Sequence, residues 1–253
     1  MDIGFHFFLL IVAILANLLS ALAGGGAGLI QLPVLIFLGL PFPVALATHK
    51  VASVALGVGA TSRHWRSRKL QWQFALFILC CGLPGVIVGA NTILLIPENL
   101  AKISLGMLTI SLGLYSFLKK ELGQTVDARH RDIRGFCTGG LVLFAIGFLN
   151  GSLTSGTGLF VTLWLIRWFG LDYKMAVAYT LILVGLFWNG TGALTLGLQG
   201  QIQWDWLPAL LAGSFIGGYL GTHIGLTKGN TLIKRAFEIT AILIGASLII
   251  KSL

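Results

Sequence analysis

The chain has 253 residues, 56% of them hydrophobic and only 10% charged, with 17 Lys and Arg against 8 Asp and Glu for a formal net charge of +9. An average soluble domain carries about 25% charged residues, so this composition excludes a water-facing surface over most of the chain. It also excludes nucleic-acid binding, the usual reading of so basic a protein, because that needs a soluble basic face.

Apolar runs follow one another from end to end: Phe5 to Leu22, Leu29 to Leu40, Val44 to Ser62, Phe74 to Ile96, Leu100 to Leu118, Gly135 to Leu149, Gly158 to Phe169, Met175 to Leu198, Leu207 to Ile224 and Leu232 to Ile250. A run of about 20 residues spans the hydrocarbon of a bilayer. The first is read as a retained helix, not a secretory signal: no cation precedes it, no small-x-small cleavage site closes it, and another apolar run follows. Leu29 to Leu40 and Gly158 to Phe169 have 12 residues each, or about 18 Å of helix against a core of about 30 Å. They are expected to be half-helices or strongly tilted pieces.

These two short runs hold corresponding places in a duplicated sequence. Lys69-Leu70-Gln71-Trp72 matches Gln201-Ile202-Gln203-Trp204, Gly85 and Gly89 match Gly217 and Gly221, and Leu112-Gly113 matches Ile244-Gly245, all 132 residues apart. Gly39 with Gly170 and Ala45 with Ala176 stand 131 apart, so one small insertion reconciles the registers. The expected organisation is a single membrane domain, 1–253, with repeat one at 1–120, a cytoplasmic linker at 119–134 and repeat two at 135–253.

Loop charge suggests how the repeats are oriented. Arg63, Arg66, Arg68 and Lys69 crowd one loop and Lys119, Lys120, Arg129, Arg131 and Arg134 another, two helices later, so both lie on the face that the positive-inside rule makes cytoplasmic. The counterpart of the first loop, Gly197 to Gln203, has no Lys or Arg, whereas Lys228, Lys234 and Arg235 crowd a loop whose counterpart around Pro97-Glu98-Asn99 has only Lys102. Corresponding loops thus carry opposite bias. The fold class expected is an all-α integral membrane protein with two inverted-topology repeats of about five segments each, one short broken or half-helix per repeat, and the N-terminus outside. Parallel repeats are the competing reading. The excess positive charge is accounted for by cytoplasmic loops against anionic lipid.

The glycine runs mark the candidate site. Gly24-Gly25-Gly26-Ala27-Gly28 breaks the first half and Asn150-Gly151-Ser152-Leu153-Thr154-Ser155-Gly156-Thr157-Gly158 the second, each between a full helix and a half-helix. Unwound backbone at membrane depth is tolerated only beside protein or water, and half-helices starting at Gly28 and Gly158 would aim N–H groups and a positive dipole end at an anion. The plainer alternative is two tight turns. Candidate ligands are Gly24, Gly25, Gly26 and Gly28 in the first break and Asn150, Ser152, Thr154, Ser155 and Thr157 in the second.

Thr48-His49-Lys50 and Ser53 form a second candidate cluster, since an ionisable residue inside a membrane helix is functional by default. Lys50 would either face the cavity or snorkel to the interface. The corresponding place in repeat two is Tyr179-Thr180, which has no charge and adds Thr180. Asn17, Gln31 and Asn189 carry less weight, because amides often bond a neighbouring helix. Gly213, Gly217, Gly221 and Gly225 read as helix packing, and Trp65, Trp72, Trp204 and Trp206 as an interfacial belt. Cys80, Cys81 and Cys137 have no metal or redox spacing and read as buried small hydrophobes, so no cofactor or metal is expected. Every acidic residue except Glu238 falls at or near a helix end, which leaves no midplane carboxylate relay; proton coupling would need His49, His223 or the substrate itself.

On these residues the chain resembles the TauE/SafE, or sulfite exporter, family of membrane permeases. The motifs are Ala23-Gly24-Gly25-Gly26-Ala27-Gly28, Pro33, Gly39-Leu40-Pro41 with Pro43, Ala45-Leu46-Ala47-Thr48-His49-Lys50, the basic loop through Trp72, and Thr227-Lys228-Gly229-Asn230 with Leu232-Ile233. The family usually shows Thr-Asn-Lys or Thr-Ser where Thr48-His49-Lys50 stands, so His49 departs from the pattern. The resemblance implies transport, often outward, of sulfur oxyanions or organosulfonates across the cytoplasmic membrane of a prokaryote. The partners expected are a small anion and membrane lipid, and a homo-oligomer is compatible with the architecture. A non-transporting membrane protein and an intramembrane enzyme are the alternatives. The latter has only His49 and Ser53 as reactive groups, without a carboxylate or second histidine, so no enzyme is expected.

Overall fold

The computed structural model describes residues 3–64, 70–92, 98–153, 156–199 and 202–250. These form the helices α1 (Ile3–Ala23), α2 (Gly28–Phe37), α3 (Phe42–His64), α4 (Trp72–Thr92), α5 (Glu98–Leu118), α6 (Ile133–Ser152), α7 (Thr157–Arg167), α8 (Tyr173–Gly197), α9 (Leu207–Lys228) and α10 (Asn230–Ile250). Among the described residues six helices are long and apolar enough to cross a membrane, namely α1, α3, α4, α6, α8, and α9 with the short turn before it. The helices α2 and α7 have 10 and 11 residues, about 15–17 Å, too short to cross as helix alone.

Glycine sets the register of the long helices. A Cβ on Gly85 or Gly89 of α4 would lie 2.2 or 2.0 Å from the carbonyl oxygens of Phe144 or Phe148 on α6. On α9, Gly217 and Gly221 would meet the carbonyls of Ile14 and Leu18 on α1 at 2.5 and 2.4 Å. The glycines paired by the duplication therefore do the same work, allowing backbone contact that lipid, as apolar as any side chain, would not otherwise drive.

In both pairs the residue numbers rise together, so α1 runs parallel to α9 and α4 to α6. Arg63 of α3 donates to His223 of α9 at 2.9 Å while Gly59 abuts Phe215, which makes these two parallel as well. By contrast α3 and α8, which occupy corresponding places, are antiparallel, with Gly57 against Gly185 and Lys50 against Gly192. The same holds for α5 and α10, where Gly113 meets Ala241 and Gly245 meets Gly106. Antiparallel counterparts are compatible with inverted repeats.

Because α1 and α3 both run parallel to α9, α2 must lead the chain back between them. Likewise Trp168, just beyond α7, donates to the Gly135 carbonyl near the start of α6, so α7 returns along α6. The short helices thus carry the chain back between parallel neighbours, with the unwound backbone at their ends covering the rest of the depth. One face then gathers the ends of α3, α5, α7 and α9 and the starts of α6, α8 and α10, tied by Lys174 N–H to Asn230 at 3.0 Å and Asn230 to the Gln124 carbonyl at 2.9 Å. Arg63, Lys119, Lys120, Arg134, Arg167, Lys174, Lys228, Lys234 and Arg235 belong to it, the face the positive-inside rule assigns to the cytoplasm. Arg131 sits over the Phe74 ring at 4.6 Å and helps hold the 119–132 segment there.

Three acidic residues hold helices in place. Asp132 and Asp172 cap α6 and α8, accepting from the N–H groups of Gly135 at 3.2 Å and Met175 at 2.7 Å. Glu238 is buried against Lys234 and Ser116, and Ser116 bonds the Tyr173 hydroxyl at 2.7 Å.

Two expectations change. Cys80 and Cys137 are exposed and Cys81 half-buried, because on a bundle in a bilayer an apolar helix face can turn to lipid as readily as to protein. Trp206 is buried against Phe5, with ring centroids 5.1 Å apart, whereas Trp72 and Trp204 face outward. Trp65 lies outside the described residues.

Candidate functional site

The two breaks meet. In the first, Gly24, Gly25 and Gly26 have φ of +83°, +143° and +104°, three consecutive left-handed residues that only glycine adopts without strain. A Cβ on Gly25 would lie 2.6 Å from the Gly158 backbone, and one on Gly158 would lie 2.8 Å from Gly25 Cα. The two half-helix starts are therefore in backbone contact at the centre of the bundle. Neither Ala27 nor Gly156, the residues before α2 and α7, caps its helix with a side-chain hydrogen bond. The first N–H groups of a helix have no partner within it.

A cavity of about 40 Å³ opens beside this contact, large enough for about three waters or one small ion, at roughly 10–15 Å³ for each water. Ser20 and Gly25 to Gly28 line it from the first break, and Asn150, Thr157 and Gly158 from the second. His49, Ser53 and Leu56 of α3 close one wall. Thr180, Leu181, Val184, Gly185 and Asn189 of α8 close another. From Thr180 to Trp188 the α8 backbone winds as a π-helix, a widened turn common at functional sites. It faces α3 where Gly57 and Gly185 let the two backbones touch.

Polar side chains around the cavity are linked to one another. The Asn150 amide donates to the Thr157 hydroxyl at 2.9 Å and to Asn189 Oδ1 at 3.4 Å. Thr162 donates to the Gly24 carbonyl at 2.8 Å and its hydroxyl pairs with that of Thr180 at 3.0 Å. His49 Nε2 pairs with Ser53 at 3.2 Å, while its Nδ1 has no partner among the described residues although the ring is 98% buried, being 2% exposed.

Lys50 is wholly buried and does not snorkel. Its ammonium donates to the Asn150 carbonyl at 2.7 Å and to Asn150 Oδ1 at 3.3 Å. It thereby caps the negative end of α6 and fixes the amide that lines the cavity, one side chain away from it. Among the described residues it makes no ion pair with a carboxylate.

Of the residues singled out in the sequence, Gly25, Gly26, Gly28, His49, Ser53, Asn150, Thr157 and Thr180 line the cavity. Four others do not. Gly24 offers its carbonyl to Thr162, Lys50 acts through Asn150, Thr48 accepts from the Gln203 N–H at 2.9 Å, and Ser152 donates back to the Phe148 carbonyl at 3.0 Å. Thr154 and Ser155 lie outside the described residues. Asn189 lines the cavity, whereas Asn17 and Gln31 bond each other at 3.1 Å beside Ser214, away from it. Ser20 was not singled out. Its signal was its place 130 residues before Asn150, the spacing that relates the facing residues Ile14 to Phe144 and Leu18 to Phe148 in the helix contacts. Leu181, Val184 and Gly185 were hidden by the π-helix, which has no sequence period that marks it. Among the described residues no group of His, Cys, Asp and Glu could hold a metal ion.

Comparison with known proteins agrees with this architecture. The family profile described as "Sulfite exporter TauE/SafE" matches residues 9–248. A "Probable membrane transporter protein" of Haemophilus influenzae is 30% identical over 251 residues, covering 98% of this chain and 97% of its own. The "Probable membrane transporter protein YfcA" of Escherichia coli K12 is 28% identical over 244 residues, covering 96% and 89%. YunE of Bacillus subtilis, named in the same words, is 25% identical over 263 residues, covering 95% and 96%. No solved structure matches. A glycine-broken helix bundle with this match over nearly its whole length places the chain in the sulfite exporter TauE/SafE family of multi-pass membrane transporters.

Proposed function

We propose that the chain moves a small anion, a sulfur oxyanion or organosulfonate, outward across the cytoplasmic membrane by alternating access around the cavity between the two breaks. The observation that carries this reading is Lys50, a buried cation without a carboxylate partner among the described residues, set one side chain behind a small polar cavity. A buried charge is expensive unless something compensates it, and an anion in the cavity would do so. The cavity volume favours an ion the size of sulfite over longer organosulfonates. The halves 1–120 and 135–253, joined by 119–134, would rock against each other about the glycine contacts. Expelling an anion from a negative interior is downhill by about 2.3 kcal/mol per charge per 100 mV, so no carboxylate proton relay is required.

Thermal unfolding of the purified protein with sulfite, sulfate, thiosulfate, taurine and sulfoacetate, followed by flux into proteoliposomes, tests the reading. A raised melting temperature and saturable flux with at least one of them are expected. If none shifts the melting temperature and none is carried, an anion site is ruled out.

A further inference from the structure

We infer that the central site is charge-matched to a single negative charge, so that its substrate is a monoanion and a dianion of the same shape is rejected. The inference rests on the anion-transport reading above and concerns which anion the same cavity accepts.

The charges that face the cavity can be added up. Two helices begin there, α2 and α7, and two end there, α1 and α6. Each helix start is equivalent to roughly +0.5 charge and each end to roughly −0.5, so the four ends cancel in pairs. Neither break, 23–28 nor 150–158, contains an ionisable residue. The side chains lining the walls are hydroxyls, amides, apolar groups and one imidazole. What remains is the ammonium of Lys50, fixed on Asn150.

His49 supplies the second observation. Its Nδ1 is buried, without a partner among the described residues, in a ring that lines the cavity, with Ser53 holding the other nitrogen. A charge on this ring as well would bury two cations on adjacent residues, at the cost of their mutual repulsion. The ring therefore serves as a neutral hydrogen-bonding group. It offers Nδ1 either as a donor to a ligand oxygen or as an acceptor from a ligand hydroxyl. Lys50 contributes the charge and His49 the contact. One negative charge is neutralised, and a second would stay uncompensated at membrane depth.

Methanesulfonate and sulfate separate charge from shape, since both are tetrahedral at sulfur and differ by one charge. Titrating each into the detergent-solubilised full chain at constant ionic strength, with thermal unfolding as the readout, gives two apparent affinities. The expected preference for methanesulfonate is on the order of 50- to 100-fold, the ratio that corresponds to ~2.5 kcal/mol for an uncompensated charge in the membrane. Lys50→Met should weaken methanesulfonate binding by roughly 100-fold, because its single charge then loses the one cation that compensates it. Sulfate binding as tightly as methanesulfonate, or more tightly, would overturn the inference and leave anion transport intact. Failure of both to bind would instead count against the anion site itself.

Discussion

Lys50→Met separates the cost of a buried charge from its use. Methionine fills nearly the same volume along the stem, which packs on Gly192, and removes only the ammonium. Folding loses a charged hydrogen bond to the Asn150 carbonyl, about 1.5–3 kcal/mol, but is relieved of the desolvation of an unpaired cation, a penalty of several kcal/mol. The two terms nearly cancel, so the melting temperature in detergent should change little or rise. Binding behaves differently. For an anion bound one side chain away, at a separation on the order of 6 Å and an effective dielectric of about 20, the attraction would be about 2.8 kcal/mol, or roughly 100-fold in affinity. The assay is thermal unfolding of both proteins with and without the anion that the screen selects, together with flux into proteoliposomes. Ligand-induced stabilisation and flux should be lost while the ligand-free melting temperature is kept. A variant that binds with unchanged affinity would refute the assignment of Lys50 as the charge of the site.

Three further perturbations test other parts of the reasoning. Gly89→Leu and Gly221→Leu drive side chains into the backbones of Phe148 and Leu18 respectively, so each should cost about 3 kcal/mol or more; similar falls in melting temperature are expected, and a tolerated change at only one of them would show that the two contacts are not equivalent. Glu238→Gln breaks a buried ion pair with Lys234 and should destabilise by about 3–5 kcal/mol, yet the anion affinity of the folded fraction should not change, since the pair stands apart from the cavity. Single cysteines at Lys120 and Gln199, in a background lacking the three native ones, should react with a membrane-impermeant thiol reagent from opposite sides of the membrane; labelling from the same side would contradict the antiparallel registers.

Much of the architecture was legible in the sequence because a bilayer permits few solutions. Runs of apolar residues must be helices, the two short ones are too short to span as helix alone, and loop cations report the side on which they lie. Gly213, Gly217, Gly221 and Gly225 announced close packing because no other residue allows backbones to touch, and Gly85 and Gly89 were tied to Gly217 and Gly221 by the duplication. Composition also located the two breaks, by clustered glycines in the first and by glycines among hydroxyls and an amide in the second.

The rest depended on distance in space. That α2 and α7 turn back follows from α1, α3 and α9 running parallel, which is a matter of which helix packs on which. The sequence placed Lys50 beside His49, but only the folded chain brings it to Asn150, 100 residues away, so that it becomes the residue behind the site and not its wall. The π-helix of α8 and the place of Ser20 arise in the same way, where two helix breaks from opposite halves come into contact. Local chain chemistry determines where a helix must break. What each break then faces is decided by packing, because the cavity belongs to neither half alone.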